Sequence, residues 1–109
     1  MNALSILAAW KETMLSKTKN PLDKMLDEKF TIEFLGKDGN VQNKADHLDW
    51  CTSNDSPLVE NFTVIFEENG ICVGTHTAKF PDEDGSDVMF YGKYENNKVL
   101  HWRVLRSVY

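Results

Sequence analysis

Residues 58–109 read LVENFTVIFEENGICVGTHTAKFPDEDGSDVMFYGKYENNKVLHWRVLRSVY. Four runs rich in β-branched and aromatic residues follow one another here, with short polar breaks between them. Such runs are typical of β-strands. The pattern therefore predicts an antiparallel meander with strands over Leu58–Glu68, Ile71–Phe80, Asp87–Glu95 and Lys98–Ser107.

Two of the breaks are two-residue turns, Asn69-Gly70 and Asn96-Asn97. Both residue pairs tolerate positive φ, which the tight turns of β-hairpins require. A two-residue turn also sets which residues of the two strands lie opposite each other. The predicted opposite pairs are Phe66–Val73, Val64–Thr75 and Phe62–Thr77 across the first turn, and Lys93–Leu100, Tyr91–Trp102 and Met89–Val104 across the second.

These pairs divide the meander into two faces. One face would carry Phe62, Val64, Phe66, Val73, Thr75, Thr77, Met89, Tyr91, Trp102 and Val104. The other would carry Thr63, Ile65, Cys72, His76, Phe80, Val88, Phe90, Tyr94, His101, Arg103 and Leu105. Both faces are too apolar to be fully solvated, so we expect helices to cover one and a second subunit to cover the other.

The first half of the chain contains helical patterns and one further strand. Apolar spacing predicts helices near residues 3–18, 20–28 and 43–53. From Lys29 to Leu35 the period changes to two, so that Phe30, Ile32 and Phe34 share one face. Glu33 should then point to the opposite face.

Residues 26–32, LDEKFTI, and the passage from Asn97-Lys98-Val99 to Trp102-Arg103 resemble the nuclear transport factor 2-like superfamily, and within it the SnoaL-like group. The resemblance covers nearly the whole chain. It implies one domain over residues 1–109: a cystatin-like α+β roll, in which a cone-shaped, strongly bent antiparallel sheet packs on three helices. It also implies a pocket for a small apolar ligand on the concave face.

By this resemblance the face with Tyr91 and Trp102 is the concave one. The expected ligand-pocket residues are Phe34, Thr75, Thr77, Met89, Tyr91 and Trp102. Isomerases of the family place a carboxylate base on the first strand and an acidic donor on the strand before the last. The matching positions here are Phe34 and Met89, which cannot transfer a proton.

Two residues remain as candidates for catalysis. His47 lies on the apolar stripe of the third predicted helix and could act as a general base, or it could simply pack in the core. Tyr91 could donate a hydrogen bond to a ligand carbonyl or bond within the protein. His76 and His101 could share a face beside Gly92, but no third ligand for a metal is evident, so we expect neither metal nor cofactor.

Composition excludes several other functions. The net charge of −5 and the lack of a basic stripe argue against nucleic-acid binding. The apolar run at residues 3–10 is too short to span a bilayer. Cys51 and Cys72 have no metal-ligand or redox spacing, so free thiols in the cytoplasm are expected.

Three functions stay open at this stage. The first is a small-molecule-binding domain with an apolar pocket, and the second is a non-catalytic homodimeric interaction module. The third is an isomerase, cyclase or dehydratase that acts on a lipophilic carbonyl compound. A homodimer would form through the convex face, with Ile65, His76, Phe80, Phe90, Tyr94, His101 and Arg103 as interface residues.

Overall fold

The computed structural model describes the backbone of residues 1–109 and every side chain except that of Asp38. The helices are α1 (Ala3–Ser16), α2 (Asn20–Asp23) and α3 (Lys44–Cys51), and a 3₁₀ helix covers Gly36–Asp38. The strands are β1 (Leu26–Phe34), β2 (Asn40–Asn43), β3 (Leu58–Glu68), β4 (Ile71–Lys79), β5 (Gly85–Glu95) and β6 (Lys98–Val108). This confirms the predicted α+β class.

The six strands form one curled, unclosed sheet in the order β2-β1-β6-β5-β4-β3. The meander from β3 to β6 is antiparallel, as predicted. The sheet as a whole is mixed, because β1 runs parallel to β6. We call the sheet face that packs against α1 and α3 the inner face, and the opposite one the outer face.

The helices begin where the sequence offers caps. Asn2 accepts a hydrogen bond from the Ser5 amide, and the Ser5 hydroxyl accepts one from the Asn2 amide, which closes a capping box at the start of α1. Asn43 caps α3 in a similar way by accepting from the Asp46 amide. These side chains satisfy backbone donors that the first helical turn leaves without partners.

Helix α2 is shorter than predicted and ends at Asp23 instead of near Glu28. The residues that follow it pair with β6: the Val99 amide donates to the Met25 carbonyl over 2.7 Å, and Leu26 lies opposite Val99. Leu26 and Phe30 are both buried as parts of β1. Sheet pairing thus overrides the helical spacing of this segment.

The register across Asn69-Gly70 is correct only next to the turn. Phe66 lies opposite Val73 as predicted, but Thr63, and not Val64, lies opposite Thr75. The residue between Val64 and Phe66 has no partner on β4, so the strand contains a β-bulge. A second bulge, at Asn61 with φ of 58°, places Glu60, and not Phe62, opposite Thr77.

The register across Asn96-Asn97 is wrong beyond the first two pairs. Glu95 faces Lys98 and Tyr94 faces Val99, which confirms the two-residue turn. The register then shifts by one residue at Leu100, so that β5 residues meet β6 residues one position later than predicted. The observed pairs are Lys93–His101, Tyr91–Arg103 and Met89–Leu105. A one-residue shift exchanges faces, so Tyr91 and Met89 lie on the face opposite Trp102.

The core lies between the inner face and the helices. Trp102 is 2% exposed and stacks on Phe90 with ring centroids 5.2 Å apart. Its ring crosses the backbone at Gly92, where a Cβ atom would lie 2.2 Å from the indole. The space beside Gly92 is therefore filled by Trp102.

Candidate functional site

A cavity lies between the inner face of the sheet and the helices α1 and α3. The volume open to the centres of water-sized molecules is about 80 Å³, and the cavity is partly open to solvent. One water requires about 10–15 Å³ on this measure. The cavity therefore has room for several waters or for a compact ligand.

The lining is mostly apolar and rich in aromatic rings. Helix α1 contributes Trp10 and helix α3 contributes Trp50, while Trp102 comes from β6. The remaining apolar lining consists of Leu7, Met14, Ile32, Phe34, Pro57, Val59, Phe62, Ala78, Phe80, Val88 and Val104. A largely apolar concavity with a few polar groups is typical of small-molecule sites. The polar groups here are His47, His76 and Arg106.

His47 is 1% exposed, and both of its ring nitrogens have protein partners. The indole N–H of Trp10 donates to Nε2 over 2.8 Å, and Nδ1 lies 2.8 Å from Oε1 of Gln42. An indole can only donate, so Nε2 is unprotonated and Nδ1 donates to Gln42. Burial lowers the pKa of His47 to about 3. The only lone pair that could take up a proton is thus already engaged, which fits packing in the core better than general-base catalysis.

His76 lies on the inner face of β4, opposite Val88. Its Nδ1 is 3.0 Å from the carbonyl oxygen of Thr77, which can only accept, so Nδ1 carries the proton. The lone pair of the neutral ring is then on Nε2, which has no hydrogen-bond partner among the described residues. Since no buried side-chain nitrogen or oxygen among these residues lacks a partner, Nε2 is accessible to solvent. Burial lowers the pKa of His76, which favours the neutral ring.

Arg106 is the cationic member of the lining. Its guanidinium carbon lies 4.4 Å from the centre of the Phe80 ring, and its Nη1 is 2.9 Å from a carboxylate oxygen of Glu83. The arginine side chain is 15% exposed. Because Glu83 neutralises this cation, the cavity does not present an isolated positive charge.

The structure places only two of the six expected pocket residues in the cavity, namely Phe34 and Trp102. Met89 and Tyr91 lie on the outer face because of the shift at Leu100, and Met89 is 52% exposed. Thr75 and Thr77 also lie outside the cavity, since their β5 partners are Met89 and Asp87. The expected hydroxyl donors to a ligand carbonyl, Tyr91 included, are therefore absent from the lining.

The residues expected at the dimer interface also do not lie together on one face. His76 and Phe80 line the cavity, and Phe90 is 1% exposed and stacks on Trp102, so their predicted place on a free convex face is wrong. The hydroxyl of Tyr94 donates to Glu67 over 2.5 Å beside the start of α1, and this bond raises the pKa of the tyrosine to about 12. Ile65 is 61% exposed on β3.

His101 and Arg103 lie on the outer face, where they flank Glu33. Nε2 of His101 is 3.3 Å from one carboxylate oxygen of Glu33, and Nη2 of Arg103 is 3.6 Å from the other. This confirms that Glu33 points away from the cavity. His76 and His101 lie on opposite faces and cannot share a metal ion. Among the described residues no group of three or more His, Cys, Asp or Glu side chains could hold one.

His76 and Phe80 are cavity residues that the sequence analysis placed on the other face, and Trp50 and Arg106 are two that it did not consider. A signal for the correct face was present in β4, where Cys72, Gly74 and Ala78 alternate with larger residues. Cys, Gly and Ala are among the residues most often fully buried, so this alternation indicates the core face of the strand. His76 belongs to that series.

No protein-family model matches this sequence, and a search of curated proteins found no match. Solved structures do match its fold. A protein from Sphaerobacter thermophilus is 6% identical with a TM-score of 0.77, and the match covers 98% of this chain and 97% of that one. A protein from Kribbella flavida, provisionally described as a ketosteroid isomerase, is 10% identical with a TM-score of 0.76, and the match covers 95% and 76%.

A third match is a nuclear transport factor 2-like protein of unknown function from Burkholderia xenovorans, which is 13% identical with a TM-score of 0.71. That match covers 95% of this chain and 81% of the other. At such identities the likeness concerns the fold and not the activity. The chain has the nuclear transport factor 2-like fold.

Proposed function

We propose that this protein binds a small, mainly apolar ligand in the cavity between α1, α3 and the inner face of the sheet. The observation that carries the proposal is the cavity itself, with an aromatic lining and room for several waters. A chain that only needed a core could have filled this space with its own side chains. Large buried side chains such as Trp102 and Phe30 fill the neighbouring space instead.

We propose that the cavity binds its ligand without proton transfer by a carboxylate. None of the described residues that line the cavity is Asp or Glu. The position that resembles the isomerase base is Phe34, whose ring packs on Trp50 with centroids 5.6 Å apart. Isomerase, cyclase or dehydratase activity on a carbonyl compound is therefore the less supported alternative.

A thermal-shift screen with compact lipophilic compounds tests the proposal, because a ligand stabilises the form that binds it. Val104→Phe would place a ring in the cavity and should abolish the shift caused by any hit. Val41→Phe is the matched control, since Val41 is 62% exposed on the edge strand β2. If no compound raises the melting temperature, or if Val104→Phe leaves the shift unchanged, the proposal is wrong.

We also propose that the chain forms a homodimer through the outer face. Met89 and Leu105 lie opposite each other there and are 52% and 50% exposed, and Phe66 on β3 is 48% exposed. A patch of exposed apolar groups on one face of a sheet rarely stays in water on a soluble monomer. This supports the homodimeric module as the second candidate function, and it is compatible with a ligand in the cavity on the other side of the sheet.

The proposal also includes a cytoplasmic location and membership of the SnoaL-like group. Both cysteines are free and buried, which supports a reducing, cytoplasmic location. No helix among the described residues has the length and apolar character to cross a membrane. The resemblance of residues 26–32 to the SnoaL-like group supports assignment to that group.

A further inference from the structure

The hydrogen-bonding character of the cavity depends on His76. Its ring lies between two aromatic rings, with centroid distances of 5.8 Å to Phe62 and 6.1 Å to Phe90. The backbone hydrogen bond from Nδ1 to Thr77 fixes the rotation of the ring as well as its tautomer. A side chain held in this way presents one defined atom, Nε2, to a partner.

The other two polar groups of the lining already interact with the protein. Nε2 of His47 accepts from Trp10, and Nδ1 of the same ring bonds to Gln42. The guanidinium of Arg106 bonds to Glu83 and covers the face of Phe80. A ligand that used Nε2 of His47 would have to displace the bond from Trp10, whereas Nε2 of His76 has no hydrogen-bond partner among the described residues.

We propose that Nε2 of His76 anchors the ligand by accepting a hydrogen bond, so that the cavity selects compact alcohols or phenols over ketones and hydrocarbons of the same size. This inference rests on the proposed function, because it names the class of ligand for the same cavity. His76 is a ligand-binding residue in this proposal, and no chemical step is assigned to it.

The selectivity follows from which groups can donate. A ketone oxygen carries only lone pairs and would meet the lone pair of Nε2 without a proton between them. A hydroxyl group donates its proton to Nε2 and leaves the hydrocarbon part to the aromatic lining. A carboxylate would lose its hydration in an apolar space in which Arg106 is already paired with Glu83.

Two matched pairs of probes test this in the wild-type protein: phenol against toluene, and cyclohexanol against cyclohexanone. Dissociation constants come from titrations followed by ¹H–¹⁵N spectra, which also report the protonated nitrogen of each histidine. We expect the hydrogen bond to favour phenol by about fivefold, beyond the difference in hydrophobicity between phenol and toluene. Cyclohexanol should bind more tightly than cyclohexanone by a similar factor. The ¹⁵N resonance of His76 Nε2 should shift when either hydroxyl compound binds.

The variant His76→Phe removes the acceptor and keeps an aromatic ring between Phe62 and Phe90. It should bind toluene as well as the wild type does and should lose the preference for phenol. His101→Phe is the matched control, since His101 lies on the outer face, and it should retain that preference. The affinity ratio of phenol to toluene in the wild type is divided by the same ratio in His76→Phe. This comparison cancels the difference in hydrophobicity between the two probes.

The outcomes separate this inference from the proposed function. If phenol binds no more tightly relative to toluene in the wild type than in His76→Phe, the cavity binds ligands but His76 does not anchor them, and the inference is wrong. The same holds if His76→Phe folds and retains the preference, or if the ¹⁵N spectrum shows Nε2 protonated in the neutral ring. If no probe binds at millimolar concentration, the proposed function fails together with the inference.

Discussion

The indole N–H of Trp10 donates a 2.8 Å hydrogen bond to Nε2 of His47, and this bond connects α1 to α3 inside the core. The two rings meet edge to face with centroids 5.6 Å apart. Sγ of Cys51 lies 3.3 Å from the same nitrogen. Protonation of Nε2 would place a proton against the indole N–H and a charge among aromatic rings, so this contact requires a neutral histidine.

We therefore expect the stability of the protein to depend on pH through His47. Burial lowers its pKa to about 3 in the folded state, whereas histidine in an unfolded chain titrates near 6.5. Between these values the unfolded state binds more protons. The free energy of unfolding should thus decrease as the pH is lowered from about 6.5 towards 3, by at most about 1.4 kcal/mol per pH unit. Above about 6.5 the slope from this group should fall towards zero.

Urea denaturation followed by circular dichroism at pH 7, 6 and 5 measures this slope. His47→Gln keeps a polar side chain but does not titrate, so it should show a shallower decrease over the same range. The pKa of His76 is also lowered by burial, and that contribution is common to both proteins. Equal slopes in the wild type and in His47→Gln would contradict the prediction.

Gly92→Ala should destabilise the fold strongly. The added methyl group would lie 2.2 Å from Cζ3 of Trp102, which is itself packed on Phe90 and Trp10. We expect a loss of at least about 2 kcal/mol in the free energy of unfolding. Chemical denaturation provides the measurement.

Gly85→Ala is the matched control in the same strand. There the added methyl group would lie 2.9 Å from the ring of Tyr109, which is 68% exposed at the end of the chain and can move aside. The expected loss is below about 1 kcal/mol. If the two substitutions have equal effects, close packing of Trp102 on Gly92 is not the cause.

The dimer proposal predicts that Met89→Lys produces a monomer that remains folded. Two copies of the lysine would face each other or an apolar surface across a twofold interface. Leu4→Lys is the control, because Leu4 is 56% exposed on α1 and far from the outer face. Sedimentation equilibrium should show a dimer for the wild type and for Leu4→Lys.

Phe90→Glu should have a different effect, namely unfolding, because Phe90 is 1% exposed in the core. A folded monomeric Phe90→Glu protein would contradict the observed packing. A wild type that stays monomeric at about 100 μM, above a typical micromolar dissociation constant, would refute the dimer.

Both thiols should be unreactive in the folded protein. Burial raises the pKa of Cys51 to about 12 and that of Cys72 to about 11, so little thiolate is present at pH 8. Labelling with an aromatic disulfide reagent should therefore follow the opening of the structure. Gly92→Ala should accelerate it, since Gly92 lies opposite Cys72. Rapid labelling of the unmodified protein without denaturant would show that a thiol is accessible.

The sequence was sufficient for the order of elements and for the side-chain directions of β1. Phe30, Ile32 and Phe34 face the helices as predicted because the alternation in that strand continues without interruption. The two-residue turns were also correct, since Asn-Gly and Asn-Asn restrict the backbone locally. The stripe of His47, Leu48 and Cys51 on α3 is buried as expected.

The candidate site was less predictable because three β-bulges lie between the turns and the cavity. Each bulge exchanges the faces of all residues beyond it. Leu100 has no feature that distinguishes it from an ordinary strand residue, and both faces of the meander carry apolar groups, so the hydrophobic pattern could not correct the register. Because of the shift at Leu100, Trp102 was grouped with Tyr91 and not with His76, so His76 was assigned to the outside and Tyr91 to the inside. The predicted pocket therefore offered a hydroxyl donor where the observed cavity offers an acceptor.

The placement of the tryptophans gives the protein an optical property. The chain contains three of them, and Trp10, Trp50 and Trp102 all line the cavity. The indoles of Trp10 and Trp102 are 4.8 Å apart, close enough to exchange excitation energy. All the tryptophan fluorophores of the molecule therefore line the same cavity. A ligand that enters the cavity would change the tryptophan emission of the whole chain without any added label.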